Sequence, residues 1–415
     1  MFVKSIFDIP SSIRFSHDTQ KNDRTLADKR HQIVAAHRAG TSLRNIAKDF
    51  SETKSTVQRW VAFAQGKRLD RIDFHNKKSG TTQPHNKSSR KLERHILQLR
   101  KQLKDKSILG LHGAEAIRKE MLRRGDRDVP TSRTIGNILK RNGMVDQRTR
   151  VRRPAPPPGW YLPDLLKQKV ELDSFDIIEG LYLHGGQEVQ FLNGLSLHGN
   201  LLHSRVNETQ TAENTVLALI EHWKQFGLPT YVQFDNDMVF QGPRKANAIG
   251  KVIRLCLSLK VIPVFTTPYE QGFQGKIERF NREIQEKFWR RRQFKNIKDV
   301  EKHLEQYVQA HRFAHQETIL SAPRRRAFPK CWRRNDTKPP SGTMIYLRRT
   351  DGSGRVRFLE REFLVSVHWV NRLVRAEVDW EEGRIRFFAL RRVDWKTQRL
   401  LKTVKFRLSK KLTSD

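Results

Sequence analysis

The chain has 415 residues, enough for several domains at roughly 100–200 residues each. Its 81 Lys and Arg against 44 Asp and Glu give a formal net charge of +37 and a pI of about 10.7, with mean hydropathy −0.70. So large an excess repels itself unless a polyanion is near, and neutralising phosphates releases counterions, so nucleic acid is the expected partner. No apolar run reaches about 18 residues, which argues against a membrane span. The opening MFVKSIFDIPSS lacks the apolar region of a signal peptide. Cys256 and Cys331 are too few for a disulfide framework or a Cys-based zinc site, and a reducing compartment fits.

Residues 1–23 are polar without period and read as a flexible arm. Residues 24–65 read as three short helices. The first runs from Leu26 to Ala39 with Ile33 and Val34 inward, and ends at Gly40. Thr41 or Ser42 caps the second, which turns Leu43, Ile46, Ala47 and Phe50 inward. The third runs from Thr53 to Ala64 on Val57, Trp60 and Val61. With Ser51 and Glu52 as the turn, the pattern predicts a helix-turn-helix. In that motif the early residues of the last helix face base edges, here Thr53, Lys54, Ser55, Gln58 and Arg59. An ordinary three-helix bundle with a solvated charged face is the competing reading.

Residues 66–90 form a basic, turn-rich linker. Residues 91–145 repeat the three-helix pattern. Leu92, Ile96, Leu99 and Leu103 mark one helix, and Ile117, Met121 and Leu122 the next. Pro130-Thr131-Ser132 opens a third, with Ile135, Ile138 and Leu139 inward. Thr131, Ser132, Arg133 and Asn137 are the expected DNA-facing residues of this second helix-turn-helix module. Residues 146–166 are basic and proline-rich, a semi-rigid spacer at a domain boundary.

Residues 167–335 form the expected core. One strand lies in KVELDSFDIIEGLYL, and two more in EVQFLNGLSLHGNLLHSRV. An amphipathic helix covers Thr211 to Phe226. A strand from Tyr231 to Phe234 ends on Asp235, and a helix from about Ala248 to Leu259 comes next. Then come a strand from Val261 to Phe265, a Gly-punctuated loop, a helix with Glu278 in its first turn, and a helix from Lys298 to His311. A meander followed by strand–helix alternation predicts a mixed α/β sheet covered on both faces. Residues 340–415 are short alternating strands and predict a small all-β barrel, which grips DNA with its Arg and Lys or caps the core.

An acid at a strand end and an acid on a nearby helix can share one cavity. A third has to come from the first strand, where ELDSFDIIEG offers Asp173 and Asp176, with Glu179 behind. Strand alternation puts Asp173 and Asp176 on opposite faces. Carboxylate oxygens hold hard cations such as Mg²⁺. Two such ions about 3.5–4 Å apart can activate an attacking oxygen and stabilise a leaving one.

The strand VQFDND, the helix GFQGKIERFN and the trailing HRFAHQETILSAP resemble the catalytic core of the DDE transposases and retroviral-type integrases, including bacterial insertion-sequence and Mu-like transposases. The resemblance covers residues 168–325. It implies a ribonuclease H-like core with Asp173, Asp235 and Glu278 as catalytic acids and metal ligands. Asp173 matches the family pattern better because it follows Glu171-Leu172, with Asp176 as the alternative first acid. The implied chemistry is 3′-end cleavage at the ends of a mobile element and strand transfer into target DNA. It uses two Mg²⁺ ions, for which Mn²⁺ can substitute. Lys276, Arg282 and Lys287 flank Glu278 and would contact phosphate. The implied partners are element-end and target DNA, further copies of the chain, and an accessory ATPase or targeting subunit, at the bacterial nucleoid in the cytoplasm. Two departures stand out. Asn236-Asp237 replaces the family's frequent Asn-Gly, with Asp237 read as a solvated turn residue in preference to a fourth acid near the metals, and the loop before Glu278 has Pro268 alone. A catalytically inactive regulator descended from such an enzyme, and a nuclease acting on RNA hybrids, are the competing readings.

Overall fold

A computed structural model describes residues 26–76, 88–145, 156–242, 249–270, 272–336 and 341–406. The expected arm, residues 77–87 of the basic linker, the first part of the proline-rich stretch and the last residues lie outside that set. The chain divides into two units, Met1–Ser89 and Arg90–Asp415.

The first unit holds three helices, α1 over 26–38, α2 Leu43–Asp49 and α3 Lys54–Phe63. Hydroxyl caps fix where the last two begin. The Ser42 side chain accepts from the Asn45 amide, and the Thr53 side chain from the Thr56 amide, each filling an otherwise orphaned donor. Ile33, Ile46 and Val57 are fully buried together. Trp60 joins them to a second cluster of Ala27, Val34, Ala64 and Phe74. Thr53, Lys54, Ser55, Gln58 and Arg59 are all exposed.

The second unit begins with α4 Arg90–Lys106, α5 Ala114–Arg123 and α6 Ser132–Arg141, packed on their own core of Ile96, Leu99, Ile117, Met121, Ile135, Ile138 and Leu139. This module is fixed to the rest of the unit. The Arg291 guanidinium donates to the carbonyls of Lys104 and Ser107 at 2.8 and 2.9 Å, and Leu109 is buried with Phe288 and Tyr307. After it comes α7 Pro163–Leu166. Trp160, Tyr161, Leu162 and Leu165 are buried, with the Trp160 ring stacked on Phe273 at 5.8 Å. The second part of the expected spacer is therefore packed structure, because its aromatic pair outweighs the prolines before it.

The core elements are β1 Leu172–Tyr182, β2 Glu188–Ser196, β3 Leu202–Asn207, α8 Ala212–Phe226, β4 Tyr231–Phe234, α9 Met238–Gln241, α10 Lys251–Ser258, β5 Ile262–Phe265, α11 Gly275–Lys287, α12 Ile297–Ala314 and α13 Gln316–Ser321. The C-terminal strands are β6 Thr343–Arg349, β7 Arg355–Phe358, β8 Arg361–Leu364, β9 Leu373–Asp379, β10 Arg384–Ala389 and β11 Leu400–Lys405. Nine strands make one sheet in the order β11-β10-β9-β6-β5-β4-β1-β2-β3. The β1–β3 meander is antiparallel, whereas β1, β4, β5 and β6 run parallel. One cluster, with Trp223 of α8 and Val252 and Cys256 of α10, covers one face, while Ile277, Phe280, Leu304 and Tyr307 of α11 and α12 cover the other. Such a mixed sheet with helices on both faces fits a ribonuclease H-like core. Gly194 of β2 lies opposite Phe175 of β1, and a Cβ there would stand 2.3 Å from the Phe175 ring.

The C-terminal strands differ from the separate barrel expected of them. β6 pairs directly with β5, and β9, β10 and β11 extend the same sheet. Met344, Val378 and Phe387 belong to the cluster that also contains Phe175 and Val232. Alternation of short strands specifies a sheet with one buried face, but not whether it closes on itself or continues a neighbour.

Candidate active site

Asp235 directly succeeds the last residue of β4, and Glu278 stands in the first turn of α11. The parallel pairing of β1 with β4 sets Ser174 opposite Gln233, and two residues further that register brings Asp176 beside Asp235. Burial first, then the charges of Asp235 and Glu278, push the Asp176 carboxyl up to about 7. Burial also raises Asp235, whose Oδ1 accepts from the Asp237 amide at 2.9 Å. Asp176 is thus the acid that feels both of the others.

Asp173 is not brought to them. It is fully buried on the opposite face, paired with the Arg325 guanidinium, and it accepts from Trp223 Nε1 at 3.3 Å. His222 Nε2 lies 3.7 Å away, and burial holds that imidazole well below its ordinary pKa. This geometry runs against the preference for Asp173 as the first acid and favours the alternative, Asp176. The local Glu-Leu-Asp pattern favoured Asp173, while the arginine that claims its carboxylate lies after α13, far along the chain. Asp237 caps α9 by accepting from the Val239 amide at 2.7 Å, the turn role expected of it.

The basic residues around Glu278 separate. Arg282 is exposed and lines the same concavity as Asp176 and Glu278. The Lys276 ammonium turns inward and donates to the carbonyls of Ser196 and Leu197, with burial lowering its pKa to about 8, so it is not free for phosphate. Lys287 pairs with Glu283 at 2.6 Å. In the second module Thr131 caps α6, Ser132 is bonded to Glu115, and Arg133 and Asn137 are exposed.

Three residues escaped the sequence reading. Asn281 Nδ2 donates to Asp176 Oδ2 at 2.7 Å. Its own Oδ1 accepts from Asn193 Nδ2 at 2.9 Å, and Asn193 Oδ1 accepts from Ser204. This buried chain fixes the rotation of the Asp176 carboxylate. Asn281 stands one helical turn after Glu278, a spacing that could have drawn attention to it. Tyr269, fully exposed, stands on the rim of the cleft lined by Asp235, Thr266, Gln274 and Glu278. That cleft has a volume of ≈ 1020 Å³.

Arg348 of β6 is the third, only 8% exposed. It donates to Thr266 O and to Asn236 Oδ1, both at 2.9 Å, and Asn236 Nδ2 also donates to Thr266 O. It therefore ties the turn after Asp235 to the end of β5. Burial pulls its pKa down to about 10. Arg348→Met removes one of two donors from both Asn236 Oδ1, which keeps Gln241 Nε2, and the Thr266 carbonyl, which keeps Asn236 Nδ2, and is expected to lower the unfolding free energy by about 1–2 kcal/mol. Urea unfolding measures this, and a loss below about 0.5 kcal/mol would show that the tie is dispensable.

All three acids offer only carboxylate oxygens, and repulsion among them raises Asp176, so the donor set fits a hard divalent cation. Among the described residues no three His, Cys, Asp or Glu groups gather closely enough to hold one ion. Pairs sharing Asp176 are the arrangement that the charges favour. Among the described residues, no helix is long and apolar enough to cross a membrane.

No family model matches the sequence, and neither does any curated protein. Among solved structures, the chain is similar to the catalytic core domain of BIV integrase, at 18% identity and a TM-score of 0.22, over 28% of this chain and 66% of that one. It is similar to the HTLV-2 integrase catalytic core domain in complex with magnesium in its dimeric form, at 12% identity and a TM-score of 0.26, over 33% and 82% of the two chains. A simian T-cell lymphotropic virus intasome in complex with PP2A regulatory subunit B56 gamma matches at 14% identity and a TM-score of 0.33, over 74% and 99%. This chain thus spans just under two thirds of the BIV core's length. At such identities and scores these likenesses do not decide a family.

Proposed function

We propose that the chain is a DNA transposase or integrase, a polynucleotidyl transferase that cleaves at the ends of a mobile element and joins the 3′ ends to target DNA. The observation that carries this reading is that Asp176 in mid-β1 feels the charges of both Asp235, just past β4, and Glu278, in the first turn of α11. Asp176, Asp235 and Glu278 would hold two divalent cations, Mg²⁺ or Mn²⁺. When bound, such ions supply activation of the attacking oxygen and charge stabilisation at the leaving 3′-oxygen. Asn281 keeps the Asp176 carboxylate turned toward the cleft, and Arg282 meets a phosphate beside Glu278. The exposed residues at the starts of α3 and α6, Thr53, Lys54, Ser55, Gln58 and Arg59 with Thr131, Arg133 and Asn137, read the element ends in the major groove. Two ends must be held side by side for joining to one target, so the active form is an assembly of several copies on DNA, with an accessory ATPase or targeting subunit as a further partner.

The test mixes full-length protein, Mg²⁺, a labelled end-containing duplex and a target plasmid. Wild type is expected to join the end to the plasmid, while Asp235→Asn and Glu278→Gln bind DNA but join nothing. Tight binding with no cutting or joining under Mg²⁺ or Mn²⁺, with or without cell extract, would overturn the proposal in favour of a DNA-binding regulator.

A further inference from the structure

Glu270 lies in the loop between β5 and α11 that walls the acid cleft. Two arginines from different parts of the C-terminal sheet converge on it. Arg349, at the end of β6, donates to Oε2 through Nε at 3.1 Å and Nη2 at 2.7 Å. Arg392, after β10, donates to Oε1 through Nη2 at 2.9 Å. A forked pair of guanidinium groups around one anion is the geometry that arginine uses for phosphate as well as carboxylate. Both arginines are well exposed, whereas the Glu270 side chain is 19% exposed beneath them.

The surrounding charge points the same way. Arg372, Arg391 and Arg399 lie 4.9, 5.2 and 6.0 Å from the ring centroid of one tryptophan, Trp369. All three are exposed, and none is in an ion pair with a described carboxylate. The Trp369 carbonyl accepts from Thr350, the residue after Arg349, so this cluster adjoins the Glu270 site. Five guanidinium groups, those of Arg349, Arg392, Arg372, Arg391 and Arg399, leave a positive excess at the rim of an acidic cleft. Such an excess tracks a backbone of repeated negative charges.

We propose that Arg349 and Arg392 form a binding site for a phosphodiester of duplex DNA leading out of the acid cleft, and that Glu270 occupies it in the free chain in place of the phosphate. DNA then displaces Glu270 from the two guanidinium groups. This rests on the reading that the cleft acts on DNA.

The sign of one substitution separates this from a structural ion pair. Binding of a fluorescent generic duplex to the full chain is measured in EDTA over a range of salt. Glu270→Gln is expected to tighten binding about two- to fivefold at low salt, the size of an exposed ion pair. Arg349→Gln with Arg392→Gln is expected to weaken binding and reduce the slope of log affinity against log salt by about 0.9, one phosphate contact. In that double background, Glu270→Gln should change nothing. Duplex DNA should also protect Arg349 and Arg392 of the wild-type protein from phenylglyoxal, read by mass spectrometry, which needs no variant to fold. Weaker binding by Glu270→Gln, absent protection, or equal effects with duplex RNA would each overturn the proposal. Because every readout is binding without metal, failure of strand joining leaves this test standing, and failure here leaves strand joining untouched.

Discussion

Asp176→Asn is expected to abolish strand joining, by about 10³-fold or more, while Asp173→Asn keeps the chemistry and loses stability. The two acids stand three residues apart on β1 and have opposite surroundings. Asp176 faces Asp235 and Glu278, and the neutral amide of Asn keeps its shape but withdraws a cation-binding charge. Asp173 is sealed against Arg325, Trp223 and His222. Its neutralisation strands a guanidinium that is nearly buried, and breaking a buried pair on one side costs about 3–5 kcal/mol. Single-turnover joining assays read the first effect, and urea unfolding at low temperature reads the second. Arg325→Gln should match the stability loss of Asp173→Asn and add little to it, because both break the same pair. Were Asp173→Asn the dead variant and Asp176→Asn the active one, the site would have to be rebuilt on the opposite face of the sheet.

The sequence made Asp235 and Glu278 legible for a local reason. Each sits where its own element begins or ends, and a short apolar run or a helical start is visible within a few residues. The first acid was not legible in the same way. Period-2 alternation separates Asp173 from Asp176, but which face holds the cleft depends on α11 and on Arg325, whose contacts cross most of the core. Lys276 and Arg282 show the same limit. Both lie near Glu278 in the chain, yet one rotates into the carbonyls of β2 and the other outward. The C-terminal strands were legible as strands because they alternate. Their joining to β5 was not, because backbone pairing leaves no side-chain signature. Arg348 and Glu270 were hidden for that reason, since each matters only once β6 lies beside β5.

In metal-free buffer, wild-type protein is expected to lose stability relative to Asp176→Asn as pH rises from about 4 to about 7. The Asp176 carboxyl is raised from its usual 3.8 to about 7. Between those values the folded state holds a proton that the unfolded state has released, so unfolding free energy falls as pH rises, and levels off above about 7. At one pKa unit per about 1.4 kcal/mol, the largest loss is about 4 kcal/mol, and solvent at this partly exposed group reduces it. Asp235, also raised by burial, adds in the same direction in both proteins. The buried His203, His222 and His311 act oppositely, since their depressed pKa values favour folding once the unfolded imidazoles lose their protons near pH 6.5. The difference between wild type and Asp176→Asn at each pH cancels those terms. Mg²⁺ should close the gap, because it binds the ionised carboxylates alone, and saturation at about a hundred times the dissociation constant contributes about 2.7 kcal/mol. The stabilisation by Mg²⁺ is therefore expected at pH 8, small at pH 5, and much reduced in Asp176→Asn. A gap that ignores pH, or an Mg²⁺ effect equal in both proteins, would remove Asp176 from the cation site and with it the strongest physical reason for the three acids to stand together.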